Sequence, residues 1–158
     1  MTAACLSADV PMRTAPTREA VVVAARRWLG TPYLHQASLA GVGCDCLGLL
    51  RGIWRDLYGA EPEHPGPYAP DWAEAGGRET LVAAARRHLT EIAPGAAAPG
   101  EVLLFRWRDG LPAKHVAILS APDRMIHAHD GAGVTEAALV PWWRRRISHA
   151  FRFPGVTD

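Results

Sequence analysis

Residues 43–59 read GCDCLGLLRGIWRDLYG, and the spacing of apolar side chains along this run decides how the rest of the chain is arranged. Cys46, Leu49, Leu50, Ile53, Trp54 and Leu57 recur at intervals of three and four, which lines them along one face of an α-helix. Asp45 is a natural N-cap for that helix, and Gly59 stands ready as its C-terminal stop. Cys46 then falls in the first turn, where free N–H groups and the positive end of the helix dipole favour a thiolate. Cys44 precedes the cap and lacks that field.

Upstream, Thr17 after Pro16 is a plausible cap for a helix over residues 18–29, with Glu19 in its first turn. Val21, Val22, Ala25, Trp28 and Leu29 form its apolar stripe, and Gly30 ends it. The run TPYLHQASLAGVG between the two helices has turn residues at both ends and no period, so it reads as a loop. Downstream, residues 60–77 are broken by Pro and Gly into an irregular excursion, a lid or rim, followed by a helix over 79–90. After a turn cluster at 94–100, the runs EVLLFRW, KHVAILS, RMIHAHD and VTEAALV read as consecutive strands of an antiparallel meander. PWWRRR adds one helical turn, and ISHAFRF is a closing strand.

Helices first and strands afterwards predict an α+β fold, with helices gathered on one side of an antiparallel sheet of about five to six strands. Residues 1–15 show no periodicity and read as an arm outside a single domain over 16–158. A formal charge of +1 gives no field that would imply nucleic acid or an anionic membrane as partner. No basic start with an apolar core opens the chain, and no apolar run reaches the roughly 20 residues of a membrane span. The expectation is a protein made in the cytoplasm, without membrane insertion. Three cysteines, Cys5, Cys44 and Cys46, do not suit a disulfide framework, so free thiols are expected.

A helix-terminal thiol becomes a nucleophile when an imidazole can take its proton and a third group holds the ring. His115 opens one predicted strand and His127 lies in the next, so both rings can gather at one end of the sheet facing the helix start. A thiol on an apolar helix face is also often just a small buried hydrophobe. On these residues alone, both readings stand.

The ordered motifs add a resemblance. Residues 28–33 (WLGTPY), 45–49 (DCLGL), 100–105 (GEVLLF), 115–118 (HVAI) and 126–128 (IHA) are similar, in order and spacing, to the NlpC-type cell-wall cysteine endopeptidases. That family has a circularly rearranged papain-like fold. The resemblance implies Cys46 as nucleophile, His115 as base and then acid, and His127 as the group that orients His115. It implies oxyanion stabilisation by the Cys46 N–H with Tyr33 in support, and no cofactor. Substrate-site contacts are expected from Asp45, Gly48 and His35, with Gln36 beside His35 on the S-side of the cleft, while Asp45 is read as a cap rather than a catalyst. Leu47 departs from the family's Ser after the nucleophile. The substrate implied is the peptidoglycan stem peptide, cut between D-glutamate and the diamino acid. The run GTPYLHQASLAGVGCDCLGLLRGIWR looks like the branch found in phage tails and gene-transfer particles, implying tail or baseplate partners and action in the periplasm or cell wall.

Three other readings compete. A metal site would use Cys44, Cys46, His127 and His129, but C-x-C and H-x-H are not usual structural-zinc spacings. The domain as a non-catalytic tail-hub plug is a second. Amidase or acyl-transfer chemistry by the same thiol is a third. Tyr68 and Trp72 are read as cleft wall, partner contact or ordinary packing; Trp142, Trp143 and the arginines 144–146 as a docking patch or as packing beside a solvated face.

Overall fold

The computed structural model describes residues 15–70 and 75–158. The expected arm, save Ala15, lies outside these residues, as do Cys5 and Trp72.

Helix α1 (Arg18–Arg26) begins as expected, with the Thr17 side chain accepting from the Ala20 N–H at 3.0 Å. It stops three residues early. Beyond Arg26 the chain tightens into a turn that ends at Gly30, and the helical phase is lost, so Trp28 is buried while Leu29 is exposed. Helix α2 (Cys46–Tyr58) matches its expected bounds, capped by Asp45 and closed by Gly59. The two helices pack through Gly52, where an added Cβ would sit 2.0 Å from the Trp28 indole. The indole N–H, in turn, donates to Asp56 on α2 at 3.2 Å.

The run between α1 and α2 is more than a loop. It holds a small hairpin, β1 (Ser38–Leu39) with β2 (Gly43–Cys44), too short to leave a period in the sequence. Helix α3 (Thr80–His88) also ends sooner than expected. Leu89 is extended, and Thr90 starts the edge strand β3 (Thr90–Ile92), whose ladder hydrogen bonds come from a strand some 60 residues later.

The main sheet adds β4 (Val102–Phe105), β5 (His115–Ala121), β6 (Arg124–His129), β7 (Gly133–Ala138) and β8 (Ile147–Arg152). Its order is β3-β8-β4-β5-β6-β7, antiparallel throughout. The meander expectation holds for β4 to β7, but β8 does not close it: after helix α4 (Pro141–Arg144) the chain returns and inserts between β3 and β4.

Both faces of the sheet are covered, which is why β4 reads as an unbroken apolar run instead of an alternation. On one face Val102, Leu104, Val116, Ile118 and Ile126 join the buried residues of α1, α2 and α3. On the other Leu103, Phe105, Ala117, Leu119 and Met125 pack with Leu139, Trp143 and Ile147.

Candidate active site

Strands β5 and β6 do not stay paired along their length. Their register runs through Ala121↔Arg124, Leu119↔Met125 and Ile118↔Ile126, then stops, although β5 continues back to His115 and β6 onward to His129. The N-terminus of α2 enters at this end. The Cys46 sulfur lies 3.9 Å from the Lys114 carbonyl and takes the Val116 N–H, so it rests on the β5 backbone on either side of His115.

Burial pushes the Cys46 thiol up to about 12, with the neighbouring Asp45 charge adding to the rise. The backbone N–H groups of Val116, Leu47 and Cys46 oppose that shift, as the start of a helix should. Cys44 is wholly buried in β2 and is likewise pushed to about 12 by burial and then by Asp45.

The two histidines occupy the sheet face away from the helices. His115 pairs with Phe105 across β4, and its Nε2 lies 2.9 Å from His127 Nδ1. Burial is the main reason that His115 sits well below the usual histidine range and that His127 falls to about 4. The sequence expectation is thus met in part. Both rings gather at one end of the sheet, but among the described residues no hydrogen bond joins the Cys46 thiol to the His115 imidazole. The thiol meets the backbone of Lys114 and Val116, the neighbours of His115, instead. Such bonds are often long in unliganded enzymes and tighten when substrate binds.

Tyr33 forms an isolated bridge with Cys44, and its phenol is raised to about 12 by burial and then by the charges of Cys46, Asp45 and Asp130. It shares the thiol's electrostatic surroundings. Asp45 acts as a cap and as a hub for the adjoining loops. One oxygen accepts from the Gly48 N–H at 2.7 Å; the other accepts from the Gln36 N–H at 2.8 Å and the Tyr68 hydroxyl at 2.5 Å. Gln36 has a positive φ of 67°, a costly conformation for a residue with a Cβ, held here by Asp45.

His35 and Gln36 both reach the Tyr68 carbonyl, at 2.7 and 2.5 Å. The 60–70 excursion is therefore a pinned rim rather than a free lid. Glu61 meets Arg51 at 2.5 Å, and Glu63 meets Arg87 at 2.6 Å. Tyr68, read from sequence as cleft wall, partner contact or packing, carries no motif that marks its link to Asp45, which spans 23 residues.

Gly48 has a packing role. An added Cβ would meet the Ala37 carbonyl at 1.9 Å, so this glycine serves the close approach of α2 to the segment that enters the hairpin. Leu47 turns into an apolar cleft of about 210 Å³ between α2, α3 and the rim, lined also by Leu50, Trp54 and Leu81. Among the described residues no group of three metal-ligating side chains is gathered.

No family model matches the chain. The NlpC/p60 domain of the peptidoglycan hydrolase SagA superposes with a TM-score of 0.60 at 24% identity, covering 87% of this chain and 99% of that one. The fold is that of the NlpC/P60 domains. An NlpC/P60 family protein from Bacillus cereus gives a TM-score of 0.64 at 19% identity, covering 89% of this chain and 41% of that one. NlpC2 from Trichomonas vaginalis gives 0.61 at 19%, over 90% and 48%. In sequence, the chain is 27% identical to the gamma-DL-glutamyl hydrolase of Bacillus subtilis over 154 residues, 96% of this chain and 31% of that protein. The chain thus spans about a third of the length of that curated relative. Within the NlpC/P60 fold, Cys46 lies at the start of α2 and the histidines on β5 and β6.

The buried histidines carry a consequence for stability. Both have folded-state pKa values below the usual 6.5, so the unfolded chain takes up protons more readily as pH falls. Their contribution is complete above about pH 6.5 and is lost below it, for His127 down to about pH 4. At about 1.4 kcal/mol per pKa unit, His127 alone accounts for about 3 kcal/mol across that window. Urea unfolding at pH 7.5 and pH 5 should show a lower midpoint in acid, and His127→Asn should flatten that dependence.

Proposed function

We propose that this protein is a cysteine hydrolase of peptidoglycan stem peptides, with Cys46 as nucleophile, His115 as base and then acid, and His127 as the group that orients His115. The observation that carries this reading is the thiol at a helix N-terminus, set into the parting of β5 and β6 beside a hydrogen-bonded histidine pair. Three backbone N–H groups surround the sulfur and would stabilise a thiolate. At neutral pH the resting pair is a neutral thiol and a neutral imidazole, so His115 is in the protonation state of a base. Its Nε2 is engaged by His127, which leaves Nδ1 to receive the thiol proton. The Cys46 N–H, with the Tyr33 phenol nearby, is the expected oxyanion donor.

The bond cut is the one between D-glutamate and the diamino acid. Support comes from the sequence match to a protein named for glutamyl hydrolysis and from the SagA domain, named as part of a peptidoglycan hydrolase. The wording of residues 30–55 supports a further role as a tail component of a phage or gene-transfer particle, partnered by tail or baseplate proteins and acting in the periplasm or cell wall. Mass spectrometry of muropeptides incubated with the wild-type protein should show fragments ending at D-glutamate. Intact stem peptides after prolonged incubation would refute the assignment. Purified particles probed with an antibody to the chain test the tail role separately.

A further inference from the structure

Trp143, on α4, is the ring about which both histidines are arranged. Its indole stacks with an offset on the His115 imidazole, with centroids 5.5 Å apart and planes 28° apart. It meets the His127 ring edge-on at 5.2 Å and 83°. Trp107, just past β4, completes a near-equilateral triangle, 5.5 Å from His115 and 5.7 Å from Trp143. Such spacings lie within the range where aromatic rings attract, whether offset-stacked or edge-to-face.

We propose that Trp143 is a positioning residue for the His115–His127 pair, fixing the tilt of one ring by its face and of the other by perpendicular contact. The inference rests on the catalytic reading of Cys46 and His115. A hydrogen bond from Nε2 to Nδ1 lies in the ring plane and leaves each imidazole free to swing about it. A flat indole against the ring removes that freedom.

The indoles are themselves braced. Arg146 donates to the Trp142 carbonyl at 2.9 Å and the Trp107 carbonyl at 3.3 Å, and its guanidinium lies 3.7 Å over the Trp142 ring. Phe105 backs Trp143 from the sheet at 5.3 Å. One arginine thus ties α4 to the turn that carries Trp107, and the two indoles are held as a unit. The titratable groups around His115 are Lys114 beside it, His127 and His129 on β6, and the Cys46 thiol at the β5 edge. Trp143 meets the three imidazoles of this group, His127, His115 and His129, at 5.2, 5.5 and 6.2 Å.

The test compares Trp143→Ala and Trp143→Phe in the full chain, read by imidazole NMR titration and by the pH profile of muropeptide release. The Phe variant keeps a flat face, so the His115 titration should stay low and kcat within about three-fold of wild type. In the Ala variant His115 should titrate closer to the usual histidine range and the acid limb of the rate profile should move to higher pH. Its kcat should fall about ten-fold with KM unchanged. Where the Ala variant does not fold, Trp143→Leu restores part of the lost volume without a flat face and gives the same comparison. A folded Ala or Leu variant with the wild-type His115 titration and the wild-type pH profile would reduce Trp143 to packing and overturn the proposal. If no variant and no wild-type sample hydrolyses muropeptides, the catalytic reading fails, while the NMR titration still decides the positioning.

Discussion

Cys46→Ala is expected to reduce stem-peptide hydrolysis by about 10⁴-fold or more, the scale of loss when a covalent nucleophile is removed from a coupled catalytic unit. Cys44→Ala should leave kcat within a few-fold. The two thiols are two residues apart and both raised to about 12, so protonation does not distinguish them. Access and partners do. Cys44 is fully enclosed in β2, while Cys46 is half-buried at the start of α2, with three backbone N–H groups at its sulfur and the histidine-bearing end of β5 beneath it. Steady-state rates on a defined muropeptide, with urea unfolding to confirm that both variants fold, make the comparison. Full activity in Cys46→Ala with loss in Cys44→Ala would reverse the assignment.

Gly48→Ala should destabilise the fold by about 3 kcal/mol, the upper end of the usual cost of overpacking. The methyl would stand 1.9 Å from the Ala37 carbonyl oxygen, and a backbone atom cannot rotate away as the end of a side chain can. The segment that enters the hairpin must shift. That segment carries Gln36, whose N–H holds Asp45, and leads into Ser38, whose hydroxyl donates to the Gly48 carbonyl at 2.6 Å. The Asp45 cap should loosen with it, so part of the activity should be lost even where the protein stays folded. Chemical denaturation gives the first quantity. The rate at saturating substrate, measured well below the unfolding transition, gives the second. A variant as stable as wild type would mean that α2 and this segment do not pack as described.

Helix α2 was legible because its signals are local: an Asp cap, a stripe at three and four, a terminal glycine. The strand runs after Gly100 were legible for the same reason, and so was the collection of His115 and His127 at one end of a sheet. The early ends of α1 and α3, the hairpin β1–β2 and the edge strand β3 were not. Each depends on hydrogen bonds from partners distant in sequence, and two- or three-residue strands are too short to carry a period. The insertion of β8 between β3 and β4 is a choice of sheet edge that the residues of β8 do not encode by themselves.

The candidate site divides along the same line. The sequence by itself determined that a thiol stands in the first turn of a capped helix and that two histidines begin or cross neighbouring strands, since cap, period and order are properties of adjacent residues. Only the tertiary structure decided that β5 and β6 part beyond Ile118 and Ile126, and that the Cys46 sulfur rests there on the β5 backbone. It also decided that Gly48 is a point of contact between segments, that Tyr68 closes on Asp45, and that Trp143 lies against both histidines. Those contacts join segments up to 68 residues apart, and packing selects them through the shape and burial of the whole domain.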